Sequence, residues 1–234
     1  MMDLVYVLGT GSRHADWEIV QSMRLMKKFA VGMGEFYIVG EIPRTVPAEH
    51  FHHIRCEDRH GFPAYNTRLK VTKACQTAAI SDTFLLLNDD FFARADFTVG
   101  CVPRFSGGSL AETIAHREHN PNRYWQTLVN TAQQLKARKL PTRDFELHVP
   151  MPIHKETFRE MVDAFDWTAA STMPLWRSCY GNFCTEPGQP LRDMKVDEPL
   201  TAVEFHRRLE GCNFFSIGEG ALAGGEIRSY IEKL

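Results

Sequence analysis

The run Thr83 to Phe92, TFLLLNDDFF, restricts the fold of this chain more than any other segment. Four apolar residues, Phe84 to Leu87, lead straight into Asn88-Asp89-Asp90, and two aromatics follow. A short apolar run of this kind suits a strand buried on both faces, so the chain needs a sheet covered on both sides. The residues that end such a strand lie at the carboxyl edge of the sheet, where open α/β folds place their ligands. Two adjacent carboxylates there repel each other and are expensive to hold half-buried without a counter-charge. Asp89 and Asp90 are therefore expected to hold a hard divalent cation, Mg²⁺ or Mn²⁺. Such a cation usually carries a phosphate. The competing expectation is that the pair only opens a turn or caps a helix.

The segments before this run alternate in character. Leu4–Leu8 reads as a buried strand that breaks at Gly9, and Asp16 is placed to cap a helix from Trp17 to about Phe29. Glu35–Val39 and His53–Cys56 read as further strands, and Asn66–Ile80 as a helix that returns the chain to Phe84–Leu87. This order predicts an α/β fold with a mostly parallel, Rossmann-like sheet flanked by helices. The remainder is less regular. Phe97–Val102 reads as an edge strand, Phe105-Ser-Gly-Gly-Ser as a mobile loop, and Asn120-Pro121 to about Lys139 as an exposed helix. Phe145–Val149 returns as a strand, helices follow at about His154–Phe165 and Ser171–Tyr180, and Cys212–Ile217 is a last strand before a helix from about Gly225.

Length and composition set the outer bounds. At 234 residues the chain fits one domain, with 1–102 expected to carry a nucleotide and 103–234 to face the second substrate. A formal charge of −2 supplies no global field toward nucleic acid or membrane. The six cysteines form no CxxC pair, so they are expected reduced and mostly buried. No apolar run approaches the ~20 residues of a membrane span and no signal-peptide pattern opens the chain, which predicts a cytoplasmic protein.

After the first strand, Leu8-Gly9-Thr10-Gly11-Ser12 offers GxG without the third glycine of the dinucleotide fingerprint and without a P-loop lysine. By their place after the first strand, Gly9, Thr10 and Gly11 are candidates for close backbone approach to a nucleotide, with a plain tight turn as the competing expectation. With these residues several blocks line up: Asp3-Leu4-Val5-Tyr6-Val7, Tyr37-Ile38-Val39, Tyr65-Asn66-Thr67, Leu87-Asn88-Asp89-Asp90-Phe91, His148 in HVPMPIHK, and the late CNFFSIGE. In that order they resemble Stealth-type sugar-phosphate transferases and, more widely, GT-A glycosyltransferases. The resemblance implies a GT-A-like fold and a metal-dependent enzyme that moves a sugar or sugar phosphate from a nucleotide-sugar, a UDP-sugar by default, to an acceptor hydroxyl. Where Stealth proteins usually carry tryptophan, valine and aspartate after the first tyrosine, this chain has Val7, Leu8 and Gly9. Gly218-Glu219 stands where Asn-Asp is common, so both sugar and sugar-phosphate transfer stay open.

Within that reading Asn88 is expected to bond the sugar or ribose, and Asn66 and Arg68 either to bond the donor hydroxyls or phosphate or to serve only as a helix cap and a surface charge. His148 is a candidate general base, metal ligand or diphosphate contact, or else a structural histidine, and Glu219 a candidate base or third metal ligand, or else a helix-capping carboxylate. Arg177 and Lys195 are possible phosphate clamps. The acceptor is a glycan by default. Modified DNA is the alternative, because Arg68, Lys70, Lys73 and Lys136, Arg138, Lys139, Arg143 form basic runs and Phe62, Tyr65 or Trp125 could stack on a flipped base. A non-catalytic sugar- or nucleotide-binding module is the rival from another class.

Overall fold

The computed structural model describes residues 1–10, 16–168 and 172–234. Strand β1 (Met2–Leu8) leads to helix α1 (Trp17–Phe29), a two-residue strand β2 (Ala30–Val31), β3 (Met33–Gly40) and β4 (His52–Arg55). Helix α2 (Pro63–Gln76) then crosses to β5 (Thr83–Leu87), which is followed by β6 (Phe91–Ala93), β7 (Phe97–Thr98) and β8 (Phe105–Ser106). The second half holds α3 (Leu110–Arg117), α4 (Arg123–Ala137), β9 (Met151–His154), α5 (Lys155–Ala164), α6 (Trp176–Phe183), β10 (Gln189–Pro190) and β11 (Lys195–Val196). Helix α7 (Ala202–Arg208), β12 (Phe214–Ile217) and α8 (Glu226–Lys233) complete the chain.

The central sheet has the order β4-β3-β1-β5-β9, with the first four strands parallel and β9 antiparallel to β5. The parity of the apolar runs explains why both faces are covered. Leu4, Tyr6, Leu8, Ile38, Leu85 and Leu87 point to a core shared with α1, α7 and α8. Val5, Val7, Tyr37, Val39, Phe84 and Leu86 point to the opposite core, shared with α2, α4, α5 and α6. Each strand therefore needs apolar residues at odd and even positions alike, which is why the runs are continuous. The chain moves outward from β1 to β3 and β4, then returns through α2 to lay β5 on the other flank of β1. The topological switch point thus lies between β1 and β5, and their carboxyl ends carry Gly9 and Asn88.

Several expectations are corrected. Phe145–Val149 is not a strand, although Phe145, Leu147 and Val149 are buried in alternation. Side chains satisfy its backbone instead: Ser178 Oγ accepts from Phe145 N at 3.1 Å, and Arg177 donates to the carbonyls of Phe145 at 3.3 Å and Val149 at 2.8 Å. The strand is the next segment, β9, whose Pro152 is tolerated because β9 is the edge of the sheet. Only Phe97–Thr98 of the expected edge strand pairs, and a 3-10 turn at Val99–Cys101 follows. The expected loop at 105–109 supplies β8 and then Ser109, which caps α3 with Glu112 in a reciprocal box; Thr201 and Glu204 start α7 the same way. Neither helix was expected. Asp16 does precede α1, but with φ 61° and no capping bond; its carboxylate accepts from Arg44 N at 2.6 Å. The helix expected from Ser171 is α6, five residues further on, and Ser171 itself lies outside the described residues. All six cysteines are free, yet only Cys75 and Cys179 are buried. Among the described residues no helix is long and apolar enough to cross a membrane.

Candidate functional site

Asn88, Asp89 and Asp90 form a tight turn between β5 and β6, closed by Phe91 N donating to Asn88 O at 3.3 Å. The turn is anchored from below. Ser22 of α1 donates to the carbonyl of Phe91 and lies 2.9 Å from the Tyr6 hydroxyl. Behind it β6 pairs antiparallel with β12, and Phe92 stacks on Phe215 at 5.2 Å. This packing holds both carboxylates half-buried at the sheet edge. Burial, then the adjacent Asp90 and Glu18, push the Asp89 carboxyl up to about 7. Asp90 is also raised by burial, against a hydrogen bond from Ser216 Oγ at 2.7 Å and the nearby side chains of His148 and Lys195.

The two aspartates have different neighbours. Asp89 lines a cleft of about 450 Å³ together with Asn88, Gly9, Thr10, Asn66, Thr67, Asp58, His60 and Lys70. Five residues expected to meet a nucleotide or its metal thus share one cleft at the switch point. The Asn66 amide, however, is committed to the cleft wall: Oδ1 accepts from Arg59 N at 3.0 Å and His60 N at 3.1 Å, and Nδ2 donates to His60 O at 2.6 Å. Its part is to shape the 59–60 loop that forms one wall of the cleft. Arg68 leaves the cleft altogether. Two residues further round α2, it is buried with its guanidinium 4.6 Å from the Trp167 ring centroid and 5.1 Å from that of Tyr65. Gly11 lies outside the described residues.

Asp90 belongs to a second group. His148 Nδ1 lies 2.9 Å from Asp193 Oδ2, and the backbone N of His148 donates to Asp193 Oδ1 at 3.0 Å. Despite partial burial, these bonds hold the Asp193 carboxyl below the usual carboxylate range. An ionised acceptor at Nδ1 places the ring proton there, and Nε2 makes no hydrogen bond among the described residues. Arg177, on the first turn of α6, holds the segment that carries His148; burial lowers its affinity for its proton, while Glu146, Asp193 and Asp90 favour its charge. Its guanidinium is thus occupied by the scaffold and is not a phosphate clamp in waiting. Lys195, on β11 beside β12, keeps a looser contact of 3.7 Å with Asp197 Oδ1.

Among the described residues no group of three or more His, Cys, Asp or Glu stands close enough to hold a metal by itself. Glu219 is exposed at the start of a 3-10 turn (Glu219–Gly224), three residues beyond Ser216, and does not complete such a group with the aspartates. The Asp89–Asp90 pair still fits Mg²⁺ or Mn²⁺, because these ions commonly take one or two carboxylates and complete their shell with water and phosphate oxygens.

Reading the chain alone missed three members of the site, Ser216, Asp58 and Asp193, and took a fourth, Lys70, for part of a basic run facing nucleic acid. Ser216 had a signal, a hydroxyl inside an otherwise apolar strand. Lys70 had another, four residues from Asn66 on one helix face. Asp58 and Asp193 had none; Asp193 is 45 residues from His148 in sequence. No family model matches the chain, and no curated protein matches it.

Proposed function

We propose that this protein is a metal-dependent transferase that moves a sugar, or a sugar phosphate, from a nucleotide-sugar to an acceptor hydroxyl. The observation that carries the reading is the cleft at the β1/β5 switch point that unites Gly9, Thr10, Asn88 and Asp89, with Asp90 next on the same turn and a His148–Asp193 pair near enough for the ring to act on the Asp90 carboxyl. A Mg²⁺ or Mn²⁺ ion on Asp89 and Asp90 would neutralise the donor diphosphate and help the nucleotide leave. Gly9 and Thr10 give the donor a close backbone wall. His148, its Nδ1 held by Asp193, takes the proton of the acceptor hydroxyl at Nε2. Lys195 adds a positive charge on the same side.

A glycan is the acceptor that the family resemblance suggests. Hydroxylated bases in DNA have less support, because Arg68 and Lys70 are buried and do not form a surface that follows phosphates. Trp125 is likewise engaged, donating through Nε1 to Ile114 O at 3.1 Å. The test is a panel of nucleotide-sugars with Mn²⁺, Mg²⁺ or a chelator, scored by thermal stabilisation and then by product analysis with glycan and hydroxymethylated-DNA acceptors. Metal-dependent stabilisation with turnover supports the reading. Stabilisation with an intact donor under every acceptor condition favours a binding module, and no stabilisation by any member overturns the donor assignment.

A further inference from the structure

Lys70 is an unusual residue to find beneath a ligand cleft: its side chain is 4% exposed, and it is paired with Asp58, whose side chain is 24% exposed. Both line the same cleft as Asp89. They lie directly against Gly9: a Cβ at that position would sit 3.4 Å from Asp58 Oδ2 and 3.9 Å from Lys70 Nζ. The missing side chain lets the backbone of the first βα turn close onto the ion pair at the cleft wall. The loop that follows Asp58 is fixed by the three hydrogen bonds of Asn66, and Gly61 and Pro63 supply a flat, weakly polar wall. A carboxylate and an ammonium held side by side present one acceptor and one donor in a fixed order. The carboxylate has lone pairs to spare, and the ammonium has three donors of which Asp58 takes one.

Resting on the donor reading above, we propose that Asp58 and Lys70 read the base of the nucleotide and select bases with a lactam edge, uracil or guanine, over cytosine and adenine. A lactam edge carries a ring N–H beside a carbonyl. The N–H donates to Asp58, and the carbonyl accepts from Lys70. Cytosine and adenine offer the reverse order, a bare ring nitrogen beside an amino group. Their lone pair would face the carboxylate and their amino hydrogens the ammonium, so both contacts become repulsive. Because Asp89 lines the same cleft, the diphosphate would reach the acidic turn while the base lies toward Asp58.

The experiment is titration calorimetry of UDP, GDP, CDP and ADP with the full chain in Mn²⁺, repeated with inorganic pyrophosphate. UDP or GDP, or both, are expected to bind roughly tenfold to a hundredfold tighter than CDP and ADP, as for hydrogen bonds to charged groups. The separate UDP and GDP arms identify which lactam base is taken. In the double variant Asp58→Asn with Lys70→Met, which buries no lone charge, that ratio should fall toward one while pyrophosphate affinity holds. Equal wild-type affinity for all four, with metal dependence intact, overturns the base-reading role and leaves the donor reading standing. A preference that survives in the folded double variant overturns it as well. No metal-dependent binding of any of the four overturns both. The wild-type comparison decides the matter even if the double variant does not fold.

Discussion

The acidic turn at Asp89–Asp90 and the aspartates at positions 58 and 193 handle negative charge in opposite ways. Asp58 meets Lys70, and Asp193 meets both the ring and the backbone N–H of His148, so each carboxylate has its partner within the protein. Asp89 has backbone N–H groups of its own turn but no cation, with a second carboxylate beside it and Glu18 nearby, and Asp90 has the Ser216 hydroxyl and more distant positive charges. The partnered aspartates organise the site. Burial raises both carboxyls of the crowded pair and like charge adds to it at Asp89, and a bound cation of the kind proposed above would reverse that effect.

The comparison is broken most severely if Asp90→Ala keeps normal turnover. Under the proposed function the expected result is a folded protein whose transferase rate falls roughly 10²–10³-fold and whose thermal stabilisation by Mn²⁺ with donor disappears. Next in size, His148→Ala should lower turnover about 10²-fold with donor affinity unchanged, because the ring acts mainly in the transition state. Rate and calorimetric affinity separate the two effects, and an equal loss in both would assign His148 to donor binding instead.

On the partnered side, Asp58→Ala leaves the Lys70 ammonium buried without its carboxylate. Urea unfolding should show a loss of roughly 2–3 kcal/mol, toward the lower end for a buried pair because Asp58 is partly exposed. Adding Lys70→Met should recover much of it. A loss within the ordinary scatter of surface substitutions would show that the pair contributes little to the fold.

The smallest effect sharpens the contrast through pH. Asp89 binds its proton more tightly folded than unfolded, so in metal-free protein its contribution to stability declines as pH rises from the ordinary carboxylate range to about 7. Asp193 is held below that range, and the stability it confers is present above the unfolded value and lost in acid. Asp89→Asn should flatten the decline toward pH 7, a change on the order of 2 kcal/mol once partial exposure is allowed for. Saturating Mn²⁺ should do the same in the native sequence. A wild-type stability profile identical to that of Asp89→Asn would show that the Asp89 carboxyl is not raised.

The central strands and the acidic turn were legible in the sequence because they depend on local pattern. Leu4–Leu8 and Phe84–Leu87 are apolar at both parities, which admits only a sheet covered on two faces, and Asn88-Asp89-Asp90 follows without a break. The caps of α3 and α7 were equally local, in Ser109 with Glu112 and Thr201 with Glu204, and were there to be read. Phe145–Val149 misled because alternation reports which side chains are buried, not where the backbone hydrogen bonds go. Arg68 misled because position on a helix face decides whether a cation meets solvent, a ligand or an indole ring, and Trp167 is distant in sequence. The pairing of Lys70 with Asp58, of His148 with Asp193, and of Asp90 with Ser216 was decided only by the tertiary structure. Charged and polar partners are chosen by proximity in space, and no period along the chain encodes it.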